Sequence, residues 1–574
     1  MSLTSRRAFA VIAASLSFVA AAQQQPGAGQ ILEQQRPRES LPISPSTAPV
    51  LPQVPSKPAL PATTRVSVTV KDFRFTGNTV FPAAELRETV SEFIGKTLDF
   101  NGLNDAAGRV QRHYRERGYF LAVAYLPQQD VKGGIVEIAV LEGRLGAVIL
   151  QMDAKATLRQ STARGILDAH LKPGDLITEN ALERPLLLLR DLPDMEVTSE
   201  LAPSKAQIGA ADLTVKLTEN RRAVSGYVDV DNHGNRFTGE YRLGLNLNSG
   251  NLTGAGDLLS FRGFVSSGGL MKFGRLSYVV PVGPFGTRLG VSGTAFDYEL
   301  GKDFEALQAN GEGQVYTLYV LHPFLRTRNA NLFVQAGVEH KNLEDRIDSV
   351  GTVEERKINA AKLGVVGDFR DRLLSGGLNS YSATITAGDL DISPAAVEAA
   401  DAAVGTGPNT SGSFSKLNID LRRLQRLSDN FNLLLAYSGQ LASKNLTAAE
   451  KMSLGGPNGV RAYPVGEAPG DSGHLLTAEL RFIVPGFQVF GGDLTLSTFI
   501  DHGQVDTLED PPAADPTRNR NKRSISGAGL GVSLGREGNF LVRAHVASPL
   551  DNETPISDTK ERDPRVWIQA VKWF

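Results

Sequence analysis

From residue 220 to residue 574 the sequence alternates apolar and polar side chains with period two, and this pattern limits the fold more than any other feature. Tyr241, Leu243, Leu245 and Leu247 alternate with Arg242, Gly244, Asn246 and Asn248. Leu332, Val334, Ala336 and Val338 alternate with Phe333, Gln335, Gly337 and Glu339, and Leu476, Ala478, Leu480 and Phe482 with Thr477, Glu479 and Arg481. Successive side chains of a strand point to opposite faces, so each run presents one apolar and one polar face. A soluble sandwich would also alternate, because one face packs on a core. Two features favour a membrane barrel. Many runs reach the roughly 9–11 residues that cross a bilayer at a tilt, and their polar faces carry Arg, Glu and Asn suited to a water-filled lumen. Turn residues separate about 16 such runs, the kind of even number that a closed antiparallel bacterial barrel requires. Residues 220–574 are therefore expected to form a transmembrane β-barrel.

The N-terminal region fits an exported chain. Arg6 and Arg7 precede an apolar run, Ala8 to Ala22, that ends on three alanines. A basic start, a short apolar stretch and small residues read as a signal peptide over residues 1–22, too short for a span of roughly 20 residues. The Arg6-Arg7 pair leaves both general and twin-arginine export open. No later run is long and apolar enough for a transmembrane helix, and in lipid only helices and closed barrels satisfy every backbone hydrogen bond. The chain has no cysteine, which excludes a disulfide framework and thiolate chemistry. A formal net charge of -2 argues against a general nucleic-acid binder.

Between leader and barrel the pattern changes twice. Residues 23–40 hold a short helix at most, with Ile31 and Leu32 its large apolar residues, and residues 41–65 form a proline-rich, extended linker. Then a strand (66–75), two helices (83–94 and 103–117) and two strands (120–126 and 135–142) give the order β-α-α-β-β. The same order returns in 147–152, 157–171, 178–192, 196–201 and 211–218. Residues 66–144 and 145–219 are thus read as two copies of one small α+β unit.

Two short motifs carry the chemistry. Val460-Arg461-Ala462-Tyr463 lies in the glycine-rich stretch 455–473, and Phe499-Ile500-Asp501-His502-Gly503 follows it. Alternation puts Leu494, Leu496, Thr498 and Ile500 on one face, and Thr495, Ser497, Phe499 and Asp501 on the other. A carboxylate facing lipid is very costly, so Asp501 is expected to face the lumen, where a guanidinium can bind it bidentately.

Two such units before a 16-strand barrel, with these motifs, resemble the transporters of two-partner secretion, the hemolysin secretion/activation family of the BamA-like superfamily. The small units resemble polypeptide-transport-associated (POTRA) domains. Val460 to Tyr463 resembles the family's VRG(F/Y) motif, with Ala462 where glycine is usual. Phe499, Asp501 and Gly503 match its FxDxG motif. The resemblance implies that a long loop, 443–473, folds back into the lumen and that Arg461 at its tip meets Asp501. Asp231-Asn232-His233-Gly234, with Thr238, Gly239 and Arg242, resembles the first barrel hairpin. His322-Pro323-Phe324, with Arg326, Arg328 and Asn329, resembles a further hairpin, and residues 29–36 resemble a helix that plugs the barrel.

The function so implied is capture of a large unfolded exoprotein, an adhesin or hemolysin, in the periplasm and its export through the barrel. The partner would present an N-terminal secretion domain to a free sheet edge formed by Phe120, Ala122, Val123 and Tyr125, in the β-augmentation mode. The barrel would sit in the outer membrane of a Gram-negative bacterium, face its lipid, and be inserted by the barrel-assembly machinery. No cofactor, metal, nucleic acid or catalysis is expected. Gly531-Val532-Ser533-Leu534-Gly535 matches G-x-S-x-G but lacks the strand-turn-helix context of a nucleophile elbow, and no HExxH or phosphate loop occurs. The alternatives are an assembly factor of the same superfamily and a solute porin or lipid-modifying barrel enzyme.

Overall fold

The structure, a computed structural model, describes residues 26–35, 67–131, 133–207, 209–220, 224–515, 520–558, 560 and 562–574. The expected signal peptide (1–22) and proline-rich linker (41–65) lie outside the described residues, as do both ends of the candidate plug segment 23–40.

The first small unit runs through strand Asp72–Thr76, helices Ala83–Thr89 and Phe100–Glu116, and strands Val123–Tyr125 and Ile135–Leu141. Ile135–Leu141 is the middle strand, parallel to Asp72–Thr76 and antiparallel to Val123–Tyr125. The second unit repeats this with strand Arg144–Met152, helices Gln160–His170 and Glu179–Arg190, strand Met195–Pro203, and Ala210–Glu219 in the middle. Helix Phe100–Glu116 forms because Asp99 caps it, accepting from the Gly102 N–H at 2.8 Å. Leu103, Ala106, Ala107, Val110 and Tyr114 then fall on one buried stripe. Gly118, at φ +89°, supplies the left-handed residue beyond its end.

Three expected elements are shorter than their sequence pattern. The helix over 83–94 ends at Thr89 and continues as a tight turn, Ser91–Phe93. The Thr89 and Ser91 hydroxyls donate to the Leu86 and Glu88 carbonyls at 2.7 and 2.9 Å, in competition with the helical ladder. The strand over 120–126 is reduced to Val123–Tyr125, because the Ala122 N–H turns back to the Tyr119 carbonyl at 3.0 Å. The strand over 66–75 divides into Val68–Thr69, paired with Thr97–Leu98, and Asp72–Thr76 in the main sheet.

Sixteen strands, from Ser225–Asp231 to Arg565–Trp573, close into one antiparallel barrel. First and last strands meet over five residue pairs, Tyr227 opposite Trp573 through Asp231 opposite Gln569. Leu318, Val338, Leu363, Ile385, Ile500 and Leu530 are exposed on the outside. Such a belt is a liability on a soluble protein and the ordinary surface of a barrel in hydrocarbon. The inner face corrects one expectation. The lumen is polar only in part: Phe264, Phe296, Leu343, Ile358, Leu390 and Phe414 point inward and are buried against helix Ala28–Gln34. Polypeptide fills that section of the lumen, so apolar side chains are stable there.

The second small unit docks on three barrel turns. Asn251 donates to the Thr157 hydroxyl at 2.8 Å, and the rings of Phe285 and His170 meet at 5.4 Å. Arg326 holds Asp191 through two hydrogen bonds of 2.8 and 2.6 Å, and Arg328 pairs with Glu179 and Glu183. Arg184 answers by donating to the Pro323 carbonyl at 2.7 Å. The hairpin carrying His322-Pro323-Phe324 thus joins the barrel to the second unit.

Candidate functional site

The residues between strands Phe431–Ala442 and Ser472–Val489 fold into the barrel rather than away from it. The tip is held by its own backbone. The Val460 N–H reaches the Leu454 carbonyl at 2.7 Å, the Tyr463 N–H the Val460 carbonyl at 3.0 Å, and the Gly456 N–H the Tyr463 carbonyl at 3.1 Å. Gly456 has φ +110°, a conformation that a side chain would strain. Ala462 has no positive φ, so this turn does not draw on the freedom of the glycine usual there. Its methyl seats against Gly527, where an added Cβ would come within 2.5 Å of it.

Arg461 is the centre of the site. Its Nε and Nη2 donate to the two oxygens of Asp501 at 2.8 and 2.9 Å, and its Nη1 to Glu479 at 2.7 Å. Its guanidinium carbon lies 3.3 Å from the centroid of the Phe499 ring, a cation–π contact in a site closed to water. Arg461 is 4% exposed and Asp501 0%. Asp501 also accepts from the Thr477 hydroxyl at 2.9 Å and the Arg461 N–H at 3.2 Å. The Arg461 carbonyl accepts from the Trp567 indole at 2.7 Å. Gly503 leaves room for the Leu454 side chain, which a Cβ would approach to 2.8 Å. Val460 and Tyr463 are wholly buried, and the Tyr463 hydroxyl bonds Asp551 and, at 3.0 Å, the Glu553 carbonyl. Both motifs are thus brought together in the lumen.

Sequence reasoning missed Glu479, Trp567 and Glu467. Alternation placed Glu479 on an inward face without naming its partner. Glu467, on the return arm, is wholly buried, pairs with Arg523 and accepts from the Ser557 N–H at 2.9 Å, tying the loop to residues 551–558.

Helix Ala28–Gln34 lies within the lumen. Its Ala28 N–H donates to Asp345 at 2.6 Å, and Gln30 donates to the Gly466 carbonyl at 3.1 Å on the loop's return arm. Gln35 accepts at 3.1 Å from Arg242, which is itself paired bidentately with Asp231 at 2.8 and 3.0 Å. The first barrel hairpin therefore touches the end of the helix.

The candidate capture edge is smaller than its four residues. Val123 and Tyr125, 40% and 41% exposed, lie on an edge strand beside helix Phe100–Glu116. Phe120 instead packs on the core of the second unit, and Ala122 is wholly buried in the first. Near this joint Glu142 is buried. It accepts from the Val80 N–H at 2.7 Å, the Thr79 N–H at 2.6 Å, the Thr79 hydroxyl and the Tyr114 phenol at 2.9 Å. Burial alone would push its carboxyl up, but these donors outweigh that and hold it below the ordinary value. Ser533 of the G-x-S-x-G match lies within barrel strand Lys522–Arg536. Among the described residues no His, Asp or Glu group has the grouping of a metal site.

With this geometry in view, likeness to known proteins is extensive. Residues 209–534 match the family model described as haemolysin secretion/activation protein ShlB/FhaC/HecB, and residues 68–143 match a POTRA domain of the ShlB type. The heme/hemopexin transporter protein HuxB of Haemophilus influenzae is 30% identical over 490 residues, 85% of this chain and 84% of that protein. The outer membrane transporter CdiB of Dickeya dadantii is 24% identical over 456 residues, 76% of each. The solved structure of CdiB from Escherichia coli shares the fold at a TM-score of 0.71 and 20% identity, over 97% of this chain and 100% of that one.

Proposed function

The chain belongs to the haemolysin secretion/activation (ShlB/FhaC/HecB) family, the outer-membrane transporters of two-partner secretion, and from that premise we propose how it moves its exoprotein. The barrel spans the outer membrane and the POTRA units lie in the periplasm. The exported partner binds first on the edge strand Val123–Tyr125, where an extended chain adds to the sheet and its side chains reach helix Phe100–Glu116. Its N-terminal secretion domain is the part that binds. The chain then enters the lumen, displaces the inward loop and helix Ala28–Gln34, and folds outside. The partner is a large adhesin or hemolysin. The apolar belt faces outer-membrane lipid, and the barrel-assembly machinery inserts it.

The observation that carries this reading is the Arg461 site. A loop of the chain's own occupies the lumen, fixed by a charge pair that water or a competing chain can take over. The test is secretion of the partner by full-length protein, normalised to folded barrel in the outer membrane, together with capture of the partner's N-terminal domain by detergent-solubilised protein. Val123→Pro removes a backbone donor from the edge strand. It is expected to weaken capture while leaving the barrel folded, and capture equal to wild type would eliminate this edge.

A further inference from the structure

Glu450 lies on the arm that leads from strand Phe431–Ala442 into the loop, and it is 1% exposed. Its carboxylate pairs with two buried ammoniums of the barrel wall, that of Lys416 at 2.8 Å and that of Lys341. Lys341 stands on strand Ala330–Ile347 and Lys416 on strand Gly412–Arg426, with two further strands between them in the barrel. The carboxylate therefore bridges wall positions that no backbone pairing joins. Lys341 is also 3.0 Å from Glu339. The Glu450 carbonyl accepts from Lys416 at 2.7 Å and from Gln440 at 3.0 Å, and Gln440 reaches the Asp471 carbonyl at 2.8 Å on the return arm. None of these groups belongs to the Arg461 site, whose carboxylates stand on strands Ser472–Val489 and Gly492–Asp506.

The residue before this anchor touches the lumen helix. Ala449 is wholly buried, and a Cβ on Gly29 would come within 2.7 Å of its nitrogen. Leu446, earlier on the same arm, joins Ile31 and Leu32 in one apolar cluster. We propose that Glu450, Lys341 and Lys416 form a second lock, separate from the Arg461 pair, that positions this arm as the seat of helix Ala28–Gln34. The proposal rests on the gate reading above. Glu339 stays beside Lys341, but two buried ammoniums are far costlier to hold once the carboxylate that bridges them is gone. The arm leaves when water enters to solvate all three charges, and helix and loop are then released together. Glu450 is a positioning residue, acting on the exported chain only through the helix it seats.

The chain has no cysteine, so Ala28→Cys gives a single label site at a position that is wholly buried at rest, with Ile31 and Leu32 kept. Full-length protein in liposomes is treated with a membrane-impermeant maleimide, and folding is checked by heat-modifiable mobility. Glu450→Gln is expected to speed labelling at position 28 roughly tenfold or more, the shift that about 1.4 kcal/mol of lost anchoring produces. The triple variant Lys341→Met, Lys416→Met, Glu450→Gln leaves no orphaned lysine, and it too should label fast. Labelling of the triple variant at the parental rate overturns the proposal, because any effect of Glu450→Gln alone would then come from stranded lysines. Arg461→Ala carrying Val460→Cys is measured in parallel and reports the loop tip alone. Fast labelling there with a parental triple variant removes the second lock only, whereas parental labelling there removes the gate reading itself.

Discussion

Removing Asp501 or Arg461 should open the loop by different amounts, and the structure sets the order. Asp501→Ala takes from the Arg461 guanidinium two of its three carboxylate hydrogen bonds, takes the one from the Arg461 N–H as well, and leaves a guanidinium, on a residue 4% exposed, with Glu479. Breaking a buried pair from one side costs about 3–5 kcal/mol, and the surviving Glu479 contact puts this variant near the lower end. About 3 kcal/mol shifts the population with the loop released by roughly 100-fold. Arg461→Ala strands Asp501, which is 0% exposed, and also loses the Phe499 stacking, so it falls near the upper end, at roughly several thousandfold. The double variant leaves no orphan at position 501, and Glu479 keeps its 2.7 Å bond from Arg481, so its cost should be less than the sum of the two. Val460→Cys, at a wholly buried position, reports release by maleimide labelling, and secreted partner per folded barrel reports function. Secretion should fall sharply in both single variants. Single variants that label and secrete like the parent, or a double variant that costs the full sum, would refute the coupling.

The other predictions follow from single contacts. Trp567→Phe removes the indole bond to the Arg461 carbonyl, worth about 1 kcal/mol, and should raise labelling at Val460→Cys roughly fivefold, less than either charge variant. Ile31→Ala should cost the lumen helix about 2–5 kcal/mol of seating and raise the frequency of open-channel events in planar bilayers, with unchanged events counting against a seated helix. Arg326→Ala with Arg328→Ala removes two of the cations that hold Asp191, Glu179 and Glu183, leaving Arg288 beside Asp191, and spin labels on the second POTRA unit and the barrel should pass from a narrow to a broader distance distribution. Glu142 has a lowered folded-state pKa, so its contribution is present above the unfolded carboxylate value and is lost as pH falls from there through the lower folded one. Glu142→Gln should destabilise the first unit by about 2 kcal/mol at neutral pH and remove that part of its acid sensitivity, measured by hydrogen exchange of residues 77–81.

The sequence made Asp501 legible because two arguments met there: strand parity gave its face, and the cost of a charge in lipid gave that face its sign. Glu479 had the same parity argument, but its partner depends on how the loop descends past the strand Ser472–Val489, and period two carries no information about that path. Lys341, Lys416 and Glu450 are far apart in sequence, and only barrel closure brings them together. Parity failed differently at Phe264, Phe296 and Phe414. Where both faces of a strand are apolar, alternation cannot say which faces lipid, and the inward set is recognisable only once helix Ala28–Gln34 occupies the lumen. At Phe120 and Ala122 the apolar pattern reads as an edge strand. One side chain instead belongs to the joint between the two small units, and the other to the core beneath the turn that shortens the strand.

The chemistry of the two lumen elements suits reversible opening. The loop tip buries Leu454, Val460 and Tyr463 wholly, and its release costs the transfer of that surface to water, about 25 cal/mol per Å². An ion pair behaves otherwise: Arg461, Asp501 and Glu479 lose hydration when the loop docks and regain it when the loop leaves, so the net energy is small while the geometry stays specific. The lumen helix is apolar but short, with Ile31 and Leu32 its large buried side chains, worth about 1.5–3 kcal/mol each. Moving a gate from almost always closed to almost always open takes about 5.5 kcal/mol of differential binding. On the proposed reading, one bound exoprotein domain supplies the opening of both elements only where the same chain contacts the POTRA edge and the lumen. On that reading, Arg326 and Arg328, which fasten the second POTRA unit to the barrel turns, serve to keep capture and gate at a fixed separation.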